Sequence, residues 1–345
     1  MKVSMPLSYA GGFKESAQQA VALEEAGLDT VWVAEAYGFD GVSLMGYLAA
    51  VTSTVEIGAA ILPIYTRTPT LLAMTAAGVD ALSDGRCILG LGASGPQVIE
   101  GFHGVPYTRP LTRTREIIEI CRTVWARERV TYEGSAYTLP LPPEQGTGLG
   151  KPLKLITRPV REHIPVYVAA LGPKNVRMTA EVADGWLPLF YLPDKVDDVW
   201  GDDLAAGAAA RADDLAPLEI VAGGLLAVGD DAAQMRDLAR PMIALYVGGM
   251  GARGRNFYND LAQRYGFEAE AREIQDLYLD GRKDEAAAAV PDGLLEAATI
   301  CGPEGYVRDR IAAYKQAGVT TLNVTPLGPD VPALVSQVKE WATHA

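Results

Sequence analysis

The sequence predicts an α/β fold, a (β/α)8 TIM barrel carrying inserted segments. Short runs that are apolar throughout alternate with segments of helical spacing, the pattern of a parallel sheet covered on both faces. The alternation supplies eight strand-like runs, which argues for a closed barrel over an open doubly wound sheet. The 345 residues, 49% of them hydrophobic, suit one barrel domain over 1–345 with a large buried core.

The first strand is placed at 3–7. Residues 15–26 follow with helical spacing and stop at Gly27. The run 30–34 is β-branched and aromatic, 43–52 is helical, and 55–62 is the third strand. A helix is expected at 69–82, a strand at 86–91, and a helix rich in Arg and Glu at 111–126. The alternation resumes with a strand at 165–170 and a helix at 173–182, opened by a proline as helices often are. Strands at 185–189, 219–228 and 321–325 alternate with helices at 194–212, 303–317 and 331–343. Two stretches break the rhythm. Residues 127–164 hold a hairpin at 130–138 and a Pro/Gly-rich loop; 231–298 is an inserted helical stretch with the cluster Gly248-Gly249-Met250-Gly251. Insertions after barrel strands usually cap the mouth.

Composition excludes several functions. A net charge of −13 repels phosphate backbones, so no nucleic-acid partner is expected. Cys87, Cys121 and Cys301 show no paired spacing, which fits a reducing cytoplasm. The N-terminus starts a strand and does not read as a signal peptide, and no apolar run reaches the ~20 residues of a membrane helix. His103, His163 and His344 pair with no Cys, Asp or Glu at ligand spacing, so no metal site is expected. No nucleophile-with-base arrangement is readable. A barrel with so few catalytic side chains fits an enzyme whose cofactor carries the chemistry.

Barrel active sites form at the C-terminal strand ends. The residues to read are therefore Ser8, Glu35, then Ala60, Ile61, Tyr65 and Thr66 around the third strand, and Gly92, Ala93, Ser94, Gly95 and Gln97 after the fourth. Ala169, Ala170, Leu171, Gly172 and Lys174 follow the fifth, Leu187 and Leu189 the sixth, and Thr325 the eighth. Gly90-Leu91-Gly92-Ala93-Ser94-Gly95 fits G-x-G-x-x-G, yet it lies on the fourth strand and no acid follows to hold a ribose. A backbone nest that approaches a flat cofactor or its phosphate is preferred, ahead of a plain rim turn and of a dinucleotide fingerprint. The turn at 169–174 opens a helix whose free N–H groups suit an anion, with Lys174 and Arg177 beside it; an ordinary strand-to-helix turn reads equally well. Lys151, Lys154, Arg158 and Arg161 form a basic cluster in an acidic chain. Placed near the mouth, they would meet an anionic cofactor tail.

These segments resemble the luciferase-like superfamily, and within it the F420-dependent oxidoreductases. Asp80-Ala81-Leu82-Ser83-Asp84-Gly85-Arg86 with the strand after it is similar to the superfamily signature, and 57–69, 165–173 and 183–186 are similar to its third, fifth and sixth strand regions. The resemblance covers nearly the whole chain. It implies the deazaflavin F420 as cofactor, with FMN as the alternative, a small-molecule substrate and a homodimer. It implies a bulge with a non-prolyl cis peptide at Ala60–Ile61 behind the ring, and a cofactor or active-site contact for Glu35. Where related dehydrogenases carry a catalytic histidine this chain has Ala36, and Gly95-Pro96-Gln97 replaces their glutamate. Hydride donation from reduced F420 to an electron-poor C=C, C=O or imine is therefore the expected direction. Tyr65, Tyr107 and Tyr191 are candidate proton donors, and 231–298, with Arg253, Arg255 and Tyr258, would line the substrate side. An FMN monooxygenase and a non-catalytic flavin-binding barrel are the competing readings.

Overall fold

The computed structural model describes residues 1–8 and 11–345. Its strands are β1 (Lys2–Pro6), β2 (Thr30–Val33), β3 (Glu56–Ala59), β4 (Leu62–Pro63), β5 (Cys87–Gly92), β6 (Tyr132–Glu133), β7 (Thr138–Leu139), β8 (Val166–Val168), β9 (Gly185–Trp186), β10 (Glu219–Val228), β11 (Thr299–Gly302) and β12 (Thr321–Pro326). The order β10-β12-β1-β2-β3-β5-β8-β9 returns to β10, and every pairing in it is parallel. This is the closed eight-stranded barrel that the alternation predicts.

Around it lie α1 (Phe13–Glu25), α2 (Gly41–Val51), α3 (Pro69–Leu82), α4 (Pro96–Gly101), α5 (Pro110–Trp125), α6 (Pro173–Val182) and α7 (Asp202–Ala210). The 231–298 insertion contributes α8 (Arg240–Ala244), α9 (Phe257–Arg264), α10 (Glu268–Leu279), α11 (Lys283–Ala288) and α12 (Asp292–Ala297). The chain ends with α13 (Glu304–Gln316) and α14 (Val331–His344). Local chemistry sets several ends. The Thr68 hydroxyl accepts the Leu71 amide ahead of Pro69, and Asp40 caps α2 through Ser43. The expected hairpin is the antiparallel pair β6 and β7.

Three expectations change. The 194–212 helix is a 3-10 turn (Pro193–Lys195), a π segment (Asp197–Gly201) and then α7. A ninth parallel strand, β11, pairs with the C-terminal half of β10, where β9 no longer reaches. And the third strand is interrupted: β3 ends at Ala59, and β4 resumes at Leu62.

The barrel interior is filled by Trp32, Ile88, Tyr167 and Val221, with Ala60 and Leu187 packed above them. Gly58 makes this possible, because a Cβ there would sit 2.2 Å from the Trp32 ring. Outside the barrel, the predicted signature segment proves to be architectural. Asp80 is fully buried, accepts the Cys87 amide and pairs with Arg161. Asp84 and Gly85 turn the chain with positive φ, and the Arg86 guanidinium holds Ser83, Thr52, Val55 and Ala49 oxygens. The segment therefore anchors the N-terminal end of β5 to α2 and α3.

Candidate active site at the barrel mouth

Register locates a bulge at the end of the third strand. Gly58 pairs with Ile88 and Leu62 with Leu91, so four steps on one strand match three on its neighbour. The extra residue falls at 59–61, where the Ala60–Ile61 peptide is cis as the resemblance implies. Two glycines of β5 accept the displaced chain. A Cβ on Gly90 would sit 1.7 Å from the Ala59 carbonyl oxygen, and one on Gly92 would sit 2.7 Å from the Ile61 side chain. Gly90 and Gly92 are thus strand residues that allow close backbone approach, and the dinucleotide fingerprint reading of G-x-G-x-x-G fails. Only Gly95 caps a helix, the short α4. Ala60, Ile61, Gly92 and Leu187 come together as an apolar floor, with the Ile61 side chain over Gly92 and Leu187 packed on the barrel cluster beside Ala60. Beneath it the Trp32 Nε1 donor is buried without a hydrogen-bond partner among the described residues.

Glu35 lies beside this floor with both carboxylate oxygens engaged. Arg67 Nη1 and Nη2 donate to them at 2.6 and 2.8 Å, and the Gly41 amide donates at 2.8 Å. The pair is nearly buried, with side chains 9% and 14% exposed, and the Glu35 hydrogen bonds push the Arg67 pKa up. The Thr66 hydroxyl bonds the Pro63 carbonyl and receives Arg67 at 3.4 Å. Arg67 is the residue that sequence reasoning misses here. It stands inside the 57–69 motif, but its partner is 32 positions away.

Aromatic residues wall the mouth. Tyr65 and Tyr107 lie 5.1 Å apart, and Phe190, Tyr246 and Tyr258 form a second group with centroids 4.7 to 6.3 Å apart. Tyr65 donates to the Thr108 carbonyl at 3.0 Å, and burial pushes its pKa up to about 12. Tyr107 donates to the Ser94 carbonyl at 3.3 Å, and burial raises it as well. Ser94 itself adopts positive φ, and Ala93 packs partly buried against the core while Gln97 is exposed on α4. Tyr258 is raised by burial and by its neighbours Tyr246 and Tyr107. Its hydroxyl forms no hydrogen bond among the described residues. Tyr191, by contrast, is no mouth residue. It donates to the Ala317 carbonyl and stacks on Trp200 and Tyr314 outside the barrel.

The turn after β8 is held from outside. Ala169 donates its amide to Leu91, while the Ala170 and Leu171 carbonyls each accept a buried indole, Trp186 and Trp200, at 2.9 Å. Gly172 caps α6 with no side-chain cap; Pro173 has no N–H and the Asn175 and Val176 amides donate to the Gly172 carbonyl, so the Lys174 amide is the one of that first turn with no backbone acceptor among the described residues. Leu189 packs partly buried against the core. Lys174 is in the first turn of α6, on the outer groove between α5 and α6.

Other expected charges lie elsewhere. Arg161 is at the opposite end of the barrel, on Asp80 and the Cys87 carbonyl. The 151–161 loop follows it: Leu153 and Leu155 carbonyls bind Val130 and Arg127 beyond the C-terminal end of α5. The basic cluster is therefore no mouth feature, because barrel helices run antiparallel to the strands. Arg253 pairs with Asp276 and Asp280 on the surface, 57% exposed. His163 does meet an acid, Asp184, at 2.6 Å across the fold. Among the described residues no group of His, Cys, Asp or Glu could hold a metal, and no helix is long and apolar enough to cross a membrane.

Residues 1–321 match the family model described as luciferase-like monooxygenase. The chain belongs to the luciferase-like monooxygenase family. Over 330 residues this luciferase-like chain is 44% identical to the "Putative coenzyme F420-dependent oxidoreductase" of Mycobacterium tuberculosis, covering 94% of this chain and 95% of that protein. It is 29% identical over 315 residues to the 5,10-methylenetetrahydromethanopterin reductase of Archaeoglobus fulgidus, covering 89% and 88%. The fold is similar to that of the coenzyme F420-dependent tetrahydromethanopterin reductase of Methanopyrus kandleri, with a TM-score of 0.82 and 23% identity over 99% of this chain and 98% of that one.

Proposed function

We propose that this luciferase-like chain is an F420-dependent oxidoreductase, a reductase that passes hydride from the deazaflavin to a small organic substrate. The observation that carries this is the 44% identity along 94% of the chain with a protein of that description. The site fits such a group. A flat ring needs an apolar backing, and the Ala60–Ile61 bulge supplies one, with the Ile61 side chain seated over Gly92 where a Cβ would collide with it. When bound, F420 supplies a two-electron hydride carrier whose carbon at the flavin N5 position disfavours oxygen activation.

The chain's own residues do the rest. Ser94, Gly95 and the turn at 169–172 would present backbone to the cofactor, and the start of α6, with its positive helix end and the Lys174 amide, would hold its phosphate. Leu187 and Leu189 line the ring's edge, and the aromatic walls exclude water. Glu35 acts as a positioning residue, since both its oxygens are taken: it fixes Arg67, and with it the chain that follows the bulge. Tyr65 holds Thr108 and stays protonated through neutral pH, so we assign it to the wall. Tyr258, whose hydroxyl forms no hydrogen bond among the described residues, is the better placed to face substrate. Expected result: Glu35→Gln weakens F420 binding about tenfold by loosening the ion pair, while Tyr65→Phe changes it less than threefold, about 0.6 kcal/mol. Titration of each variant with oxidised F420 checks both.

The chain is further proposed to act in the cytoplasm as a homodimer through α2 and α3. The α2 sequence contains no charged residue, and the one in α3, Asp80, is fully buried. Leu71, Met74 and Leu82 are 44%, 53% and 67% exposed there. Two copies that each carry −13 can approach closely only over an uncharged face. Met74→Glu is expected to turn a dimer into a monomer in light scattering at micromolar concentration.

The deciding experiment for the function is fluorescence titration of the apo-protein with F420 and with FMN at fixed salt. F420 binding at micromolar affinity or tighter, with FMN much weaker, supports the proposal. The reverse preference moves the chain to the flavin monooxygenases, and binding of neither rejects both.

A further inference from the structure

The bulge can back a bound group on one side only, and the order of strands decides what faces the other side. In the closed circuit β10-β12-β1-β2-β3-β5-β8-β9, β10 lies four strands from β3 in either direction, with β9 and β12 beside it. The open face of a group resting on Ala60–Ile61 therefore looks toward β10 and β12. On β12, Leu322 and Val324 are buried in the core outside the barrel, so strand alternation turns Asn323 and Thr325 inward. Asn323 is half-buried and Thr325 is exposed. Trp32, Ile88, Tyr167 and Val221 fill the barrel, so both residues are reached through the mouth. Gly223, the β10 residue paired with Asn323, puts no side chain in the way.

This wall offers donors. The Ser4 hydroxyl donates to Asn323 Oδ1 at 3.1 Å, which fixes the amide and leaves Nδ2 turned away from Ser4. Neither that Nδ2 nor the Thr325 hydroxyl forms a hydrogen bond among the described residues. A further donor lies beside them. Trp32 is 2% exposed, and its Nε1 has no hydrogen-bond partner among the described residues. Its Cε3–Cζ3 edge lies over Gly58 on β3, so its Nε1 edge is turned to β1 and Ser4. Val221, Gly223, Thr321, Asn323 and Thr325, the inward residues of the two strands above Glu219, carry no charge.

We propose that Asn323 and Thr325 are the substrate-recognition residues of this site, donating hydrogen bonds to a neutral acceptor, the carbonyl or imine group of the molecule that is reduced. The inference rests on the F420 reading and deepens it by naming the substrate class. Sheltered donors favour a ligand that brings its own acceptor over one that leaves them unpaired. A carboxylate or phosphate would find no counter-charge on this wall. Ser4 is the positioning residue, since its hydroxyl holds the Asn323 amide with the donors facing the mouth.

The test titrates the protein carrying oxidised F420 with matched probes and reads the change in F420 fluorescence. Cyclohexenone and a six-membered lactam are the neutral acceptors, cyclohexene the hydrocarbon, and cyclohexanecarboxylate the anion. The native complex is expected to bind the neutral acceptors about tenfold more tightly than the other two. Asn323→Leu, uncharged and of similar size, is expected to abolish that preference, and Thr325→Val to reduce it about threefold. F420 affinity stays within about twofold of native in both, a pattern that general damage to the fold would not give. Thr325 is exposed and valine matches its shape, so the second variant reports even where the first fails to fold. With F420 bound, equal affinity for all probes, binding of none, or a preference that survives the substitutions overturns the inference. If F420 itself does not bind, the F420 reading has failed and the inference falls with it.

Discussion

Asp80→Asn is expected to destabilise the fold by about 3 kcal/mol, lowering the Tm by roughly 4 °C for a chain of this size. Asp80 is fully buried and is the anionic partner of Arg161, which also donates to the Cys87 carbonyl. Asparagine keeps an acceptor for the Cys87 amide but leaves the guanidinium without a counter-charge. Arg161 is 31% exposed, so water recovers part of the loss and the lower end of the usual range applies. F420 affinity of the folded fraction should be unchanged, because the pair sits at the far end of the barrel. Differential scanning calorimetry beside a titration checks this. Lost affinity at native stability would show that the 80–86 signature reaches the site.

Gly90→Ala should have the larger functional effect. Its Cβ would lie 1.7 Å from the Ala59 carbonyl oxygen, and a backbone atom cannot swing aside as a side chain can. Either β5 or the bulge must move, at a cost of roughly 3 kcal/mol or more. The floor of the site moves with it, and a shift near 1 Å is expected to weaken F420 binding about 100-fold. Gly305→Ala is the control, since nothing lies within 4 Å of its Cβ on α13. That variant should be neutral or more stable by up to about 1 kcal/mol. Native F420 affinity in Gly90→Ala would mean that the 59–61 segment does not form the floor.

Part of the architecture is legible in the order of residues alone. The helices Pro69–Leu82 and Pro173–Val182 and the strand Glu219–Val228 fall where the pattern places them, because period, proline starts and caps are local properties. The family resemblance locates the Ala60–Ile61 bond and the glycine-rich end of β5, both of which are motifs of adjacent residues. The third strand nonetheless reads as unbroken over 55–62. Its interruption follows from the register with β5, and no property of the run itself encodes it.

Residue order suffices for the barrel, its succession of strands and the set of small residues that meet at its mouth. Where the charges act follows only from the closed fold. Glu35 and Arg67, Asp80 and Arg161, and His163 and Asp184 are 32, 81 and 21 positions apart. The sequence predicts a basic cluster at the mouth, yet the fold carries Arg161 to the opposite end. The reason is physical. Hydrophobic period is set by the nearest turn or pleat, whereas a long charged side chain takes whichever counter-charge the closed barrel brings within reach.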